Sequence, residues 1–464
     1  MKNMPQDMPE TLSSVNPATG KEIATYTIHS HEAVEKMLRK AQMTQELWKQ
    51  KTLKERAATL LLIAQQIRKD KEKLAVLATL EMGKPIQQGR DELEKCARTL
   101  EYYAQEGPKH LANVPVKTDA RKSYITYQPL GVVLAVMPWN FPYWQVFRCL
   151  APILMGGNTV VLKHASNVSG CAMAIEKTVQ KSGAMKGLIH TMLIPSSRVE
   201  EIIAHPAICA VTFTGSTAVG SKIAATAGKY LKKQVLELGG SDAYMVLEDA
   251  NIKKAVDICV KARLVNTGQS CLAAKRFIVH KAIRKEFEAQ FTAAMQQATY
   301  GDPMDSGSMI GPMARPDLRQ ELHEQVLRSI EMGAKLLCGG YIPEGDGAYY
   351  PPTVLTQVKK GMPAYDEELF GPVAAIIEAK NEADALRISN DSIYGLGGCI
   401  ITGNRARGEQ LAAEQLQAGN CFVNAQVHSD ARMPFGGIKQ SGYGRELGIF
   451  GIHEFVNIKS VFIQ

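Results

Sequence analysis

The hexapeptide Asn266-Thr267-Gly268-Gln269-Ser270-Cys271 is the stretch of this chain best suited to covalent chemistry. It follows a helix-patterned run, Asp249 to Val265, with Ile252, Ala255, Val256, Cys259 and Val260 at three- and four-residue spacing. It precedes a strand-like run, Arg276 to His280. A polar turn containing glycine thus delivers one sulfur between two ordered elements. A thiolate on a fixed turn is a nucleophile that can be aimed. The same hexapeptide also fits an inert buried thiol, because free cysteine packs as a small apolar group.

Other stretches supply the functions that such a thiolate needs. Leu236-Glu237-Leu238-Gly239-Gly240 places one carboxylate between apolar neighbours. Apolar surroundings raise a carboxyl toward a useful base, and they equally suit a structural acid. Pro138-Trp139-Asn140-Phe141-Pro142 holds one amide in a proline-flanked aromatic turn, as a donor or as a turn stabiliser. Glu367-Glu368-Leu369-Phe370-Gly371-Pro372 and Pro434-Phe435-Gly436-Gly437 are two more turn-forming clusters. Phe213-Thr214-Gly215-Ser216-Thr217 joins a strand to a helix, where free N–H groups suit a phosphate.

The elements that must carry these turns alternate. Strand-like runs fall at Gly131 to Met137, Thr159 to Leu162, Ile189 to Ile194, Ile208 to Phe213 and Gln234 to Leu238, with helix-compatible segments between. That alternation predicts parallel βαβ units with ligands at the carboxyl ends of the strands, where Lys163 stands. A second alternating series begins at Ser241. It has helices around Arg284 to Gln297 and Pro316 to Gly333, then strands at Ala374 to Ile377, Cys421 to Asn424 and Glu454 to Ile463. The first ~110 residues read as helical after a short entry. Thr52-Leu53-Lys54-Glu55 is a capping box within them. Poor order is expected at Met1 to Glu10.

The motifs around Asn140, Glu237, Cys271, Glu368 and Phe435, in this order, resemble the aldehyde dehydrogenase superfamily. The likeness runs from Asn16-Pro17-Ala18-Thr19-Gly20 to the C-terminus. Within the superfamily the chain most resembles bacterial succinate-semialdehyde dehydrogenases, especially those that read Lys-His-Ala after the second strand of the nucleotide domain, as Lys163-His164-Ala165 does here. The resemblance implies an α/β fold in three parts. These are a Rossmann-like cofactor domain (1–112 and 130–239), an α/β catalytic domain (240–436) and a β oligomerisation arm (113–129 and 437–464). It implies a homodimer or homotetramer. It makes Cys271 the nucleophile, Asn140 with the Cys271 N–H the oxyanion donors, and Glu237 the deacylation base. NADP or NAD would be held by Trp139, Lys163, Ser166, Gly215, Ser216, Leu238, Glu368 and Phe370. His164 is expected to face solvent.

The substrate implied is succinate semialdehyde, with Arg148, Ser429, Arg432 and Trp144 around it. An arginine expected six residues before the cysteine is Val265 here, and Arg432 is the candidate replacement. Many NAD-preferring relatives carry an acid where this chain has Ser166, so NADP is expected to be accepted. The alternatives are a dehydrogenase of another short or uncharged aldehyde, or a thioester hydrolase.

Composition narrows the field further. The chain has 464 residues, too many for one typical core. Its net charge is +8, but runs such as Arg68-Lys69-Asp70-Lys71-Glu72 alternate in sign, which describes solvated helix faces rather than a nucleic-acid stripe. Nine cysteines without paired spacing argue against a disulfide framework or a zinc site, and no metal is expected. The polar N-terminus has no apolar signal core, so a cytoplasmic protein that avoids membranes is expected.

Overall fold

The computed structural model describes residues 10–464 and contains two mainly parallel sheets. The first has the strand order Gly442–Tyr443, Lys233–Glu237, Ile208–Thr214, Val132–Met137, Thr159–His164, Ile189–Thr191. All its pairings are parallel except that of Gly442–Tyr443. Every residue of Val132–Met137 is buried, as expected of a parallel strand covered on both faces. The second sheet has seven strands and centres on Val373–Ala379, Arg276–His280 and Ala243–Val246. The catalytic-type motifs lie at strand ends or on turns that run between the two sheets.

Helices cover the first sheet. Thr52 caps Leu53–Lys69 as the capping box predicts: Glu55 N donates to Thr52 Oγ1 at 3.2 Å, and Thr52 N donates to Glu55 Oε2 at 2.8 Å. Two orphan helix-end groups are satisfied, a contribution of about 1 kcal/mol. Ile86–His110 is the longest helix, and it packs on Leu53–Lys69 and on Trp144–Met155. Glu92 on this helix accepts from the N–H groups of Tyr143 and Trp144, each at 2.8 Å. That contact fixes the start of Trp144–Met155 and with it the turn carrying Asn140.

One expected boundary changes, and two stretches take a form that the sequence pattern did not specify. The entry to the chain is a β-hairpin, Thr11–Val15 with Glu22–Thr27, turned by Asn16 to Gly20. Asn16 Oδ1 accepts from Ala18 N at 2.9 Å, and Gly20 takes φ +69°. Such short, polar strands carry almost no hydrophobic period. Trp144–Met155 fills the helix-compatible segment between two strand-like runs and is buried at every position, so it has no polar face. Of the segment 437–464, only Val456–Ile463 enters the three-stranded arm sheet, with Lys122–Pro129 and Val114–Pro115. Gly442–Tyr443 instead borders the first sheet. The expectation about Met1 to Glu10 lies, apart from Glu10, outside the described residues. No helix among the described residues is long and apolar enough to cross a membrane.

Candidate active site

Cys271 sits on a turn whose backbone is unusual. Asn266 and Thr267 take φ of 54° and 59°, and Gly268 takes 73°. Left-handed backbone costs a non-glycine residue roughly 1–2 kcal/mol, so the surroundings must hold it. Arg263 Nη2 donates to the Gly268 carbonyl at 2.7 Å, and Thr267 Oγ1 accepts from Gly311 N at 3.0 Å. Asn266 Nδ2 donates to the Asn140 carbonyl at 2.7 Å. Lys275 Nζ donates to the carbonyls of Ser270 (2.8 Å) and Cys271 (2.6 Å). A Cβ on Gly268 would lie 2.3 Å from the Gly371 carbonyl oxygen, so only glycine fits there. The two buried cations Arg263 and Lys275 are absent from the sequence-based site, yet they clamp the nucleophile's loop.

Cys271 is half-buried, and its low-dielectric surroundings push the thiol up to about 12 against the opposing charges of Lys275 and Arg148. The resting group is therefore a thiol at neutral pH, and its thiolate fraction grows with pH. Alkylation of Cys271 by iodoacetamide in the cofactor-free enzyme is expected to climb about tenfold per pH unit between about pH 7 and 9 without levelling. Mass spectrometry of the Cys271 peptide reads this separately from the other cysteines. A plateau below about pH 8 would mean that a neighbour already stabilises the thiolate.

Asn140 is buried, and its Nδ2 donates to the Gln269 carbonyl at 3.1 Å. An amide nitrogen carries two protons, so one remains for a ligand. The Cys271 N–H has no acceptor among the described residues. Asn140 and Cys271 line the same cavity, of about 640 Å³.

Glu237 ends its strand fully buried, with neither carboxyl oxygen hydrogen-bonded. Burial pushes it well above the usual carboxylate range, and the Glu446 carboxyl adds to the rise. Its side chain is packed toward Gly436 rather than lining the cavity, although Leu238 and Gly239 do line it. Glu446 is a second buried acid that the sequence reading missed.

The larger cavity contains Trp139, Gly215, Ser216, Leu238, Glu368 and Phe370. Ser216 caps Thr217–Lys229 by position, but its side chain makes no cap bond, so the first N–H groups of the helix stay free for an anion. Glu368 Oε1 accepts from Gly240 N at 2.9 Å and lies 3.4 Å from Lys275 Nζ. The Trp139 and Phe370 rings meet edge to face at 5.8 Å. Phosphate donors, an anchored carboxylate and aromatic walls fit a nicotinamide dinucleotide. Lys163 and Ser166 lie outside this cavity. Lys163 is buried at its strand end and donates to Ser196 Oγ at 3.2 Å, whereas Ser166 is exposed. His164 is buried rather than solvent-facing, with Nε2 2.8 Å from the Pro142 carbonyl oxygen, and burial pulls its imidazole down to about 4.

A second cavity of about 400 Å³ reaches Cys271 from another side and contains Trp144, Arg148, Ser429 and Phe435. Two expectations fail here. Arg432 is not in the wall: its side chain is 77 % exposed and pairs with Asp430 at 2.7 Å. Asp430 is only two residues away, so the local pair forms and leaves Arg432 in solvent. Arg148 is in the wall but is not a free cation. It is ion-paired with Glu446, their side chains only 2 % and 1 % exposed, and its Nη2 donates to Thr214 Oγ1 at 3.0 Å. Trp144 and Ser429 line this cavity. Among the described residues no group of His, Cys, Asp and Glu is arranged to hold a metal.

The aldehyde dehydrogenase family model matches residues 4–461. The probable succinate-semialdehyde dehydrogenase (NADP(+)) of Synechocystis sp. is 45% identical over 97% of this chain and 99% of its own length. The succinate semialdehyde dehydrogenase (NAD(P)+) Sad of Escherichia coli is also 45% identical, over 97% of each chain. The crystal structure of succinic semialdehyde dehydrogenase from Streptococcus pyogenes with NADP+ superposes with a TM-score of 0.95 at 36% identity, covering 97% of this chain and 99% of that one. Matched along nearly its whole length, and with the cysteine turn, the buried amide and the buried glutamate gathered between its two sheets, this chain belongs to the aldehyde dehydrogenase family.

Proposed function

We propose that the protein oxidises succinate semialdehyde to succinate, with NADP or NAD as hydride acceptor. The observation that carries this reading is the meeting of two cavities at Cys271, one fitted to a dinucleotide and one to a short substrate. The relatives named for that substrate support it.

The residues supply each step. Deprotonated Cys271 attacks the carbonyl carbon, and a C–S bond forms as the carbonyl oxygen becomes anionic. Asn140 Nδ2 and the Cys271 N–H donate to that oxygen. A nicotinamide dinucleotide held between Trp139, Ser216, Glu368 and Phe370 would supply the hydride acceptor, and loss of hydride from the same carbon leaves a thioester on Cys271. Glu237 then swings from Gly436 toward Gly239 and takes a proton from water as the water attacks. The C–S bond breaks, and the acid leaves from a regenerated thiolate. Lys163 and Ser166 face the adenosine end, and the arm around Val456–Ile463 pairs with a second copy of the chain. Ile458 and Phe462 are exposed apolar residues on that arm.

The test follows nicotinamide reduction with succinate semialdehyde and butanal, using each cofactor. Succinate semialdehyde should give the higher kcat/KM, with NADP accepted. A serine can donate to a ribose 2′-phosphate, whereas a carboxylate repels it. Ser166→Glu should therefore lower the NADP-to-NAD efficiency ratio by about tenfold or more. An unchanged ratio removes Ser166 from cofactor choice, and a parent that prefers butanal overturns the substrate.

A further inference from the structure

The second cavity contains a charge that neither arginine explains. Lys95, on Ile86–His110, extends its ammonium into the wall shared by Trp144, Ser429 and Cys271. Its Nζ donates to Ser429 Oγ at 2.7 Å and sits 4.2 Å from the centre of the Trp144 ring. Among the described residues no carboxylate comes within ion-pair distance of it. Arg148, by contrast, is already neutralised by Glu446. Lys261 also borders the cavity but is exposed at its mouth, where solvent screens it.

Lys95 is half-buried, and an ammonium drawn that far from water without an acid is costly unless something neutralises it. We propose that Lys95 is the cation that receives the distal carboxylate of the substrate, with Ser429 as its partner. This assignment rests on the succinate semialdehyde reading and deepens it. Two features make the pair a receptor rather than packing. Ser429 accepts from Lys95, so its own O–H proton is left to donate to a carboxylate oxygen. The Trp144 face holds the ammonium in place by a cation–π contact, so little freedom is lost when the acid arrives. The carboxylate thus docks at one end of the cavity, and the aldehyde carbon lies toward Cys271 at the other.

The groups facing Lys95 set its titration. Burial and the Arg148 charge pull it down to about 8, while Cys96 and Glu92 on its own helix and Asp430 on the Ser429 loop act the other way. The ammonium is therefore charged below that pH and loses its proton above it.

The test measures kcat/KM for succinate semialdehyde and for butanal, and follows their ratio. Lys95→Met keeps the length of the side chain and removes the charge, and should lower the ratio about ten- to a hundredfold. Lys95→Arg keeps the charge and should hold the ratio nearer to the parent value. Arg432→Ala should leave it at the parent value. In the parent the ratio should fall as pH rises through about 8, and in Lys95→Met it should be flat, because kcat/KM reports groups of the free enzyme. A parent that prefers the acid while Lys95→Met keeps the full ratio overturns the role of Lys95 alone. Equal losses in the methionine and arginine variants, or a parent ratio flat with pH, remove its charge from the explanation. A parent with no preference for the acid overturns the substrate reading itself.

Discussion

Cys271→Ala is expected to lower aldehyde oxidation by at least about 10³-fold while leaving NADP binding nearly intact. Without sulfur no bond forms to the carbonyl carbon, and an uncharged planar aldehyde has little tendency to release hydride. The substitution removes one atom from a half-buried side chain. The clamps on the loop act through backbone carbonyls, with Arg263 on Gly268 and Lys275 on Ser270 and Cys271, so alanine keeps them. It also keeps the Cys271 backbone N–H proposed as an oxyanion donor. Cofactor binding can be followed by quenching of Trp139, which lies in the larger cavity. A variant that oxidises aldehydes near the parent rate would remove Cys271 from the mechanism.

Glu237→Gln should separate the two halves of the reaction. Glutamine has the shape of the acid but cannot take a proton from water. The first turnover should produce a burst of reduced cofactor close to one per site, followed by a steady rate lower by about 10²–10⁴-fold. The thioester should be visible by mass spectrometry of the quenched enzyme. In the parent, burial and Glu446 raise the Glu237 carboxyl, so the base is neutral at low pH and deacylation slows as pH falls through that raised value. The glutamine variant should lose this acid limb. The substitution also removes a repulsion between two buried carboxyls, so a loss of folding is not expected. A folded variant without a burst would place Glu237 in acylation or positioning.

The two arginines show where reading along the chain stops. Arg148 is the arginine that the family resemblance offers for a substrate carboxylate, and it does reach the cavity. Its charge is taken by Glu446, an acid brought to it only by packing of the C-terminal segment against Trp144–Met155. Lys95 lies in the mixed-charge run Arg90-Asp91-Glu92-Leu93-Glu94-Lys95, which looks like any solvated helix face. Its partner Ser429 is 334 residues away.

What the sequence by itself determined were the features that depend on short-range chemistry. The turn that presents Cys271, the capping box at Thr52, the glycines after Glu237 and the strand Arg276–His280 follow from neighbouring residues, and all are legible without a structure. The hairpin at Thr11–Val15 was not legible, because it has too little apolar pattern. Only the tertiary structure decided which charges are free. A cation binds a carboxylate if it is buried without its own acid, and that depends on groups hundreds of residues apart meeting in a medium of low dielectric. The tertiary structure paired Arg148 with Glu446, left Arg432 in solvent beside Asp430, and gave Lys95 only a hydroxyl and an aromatic face.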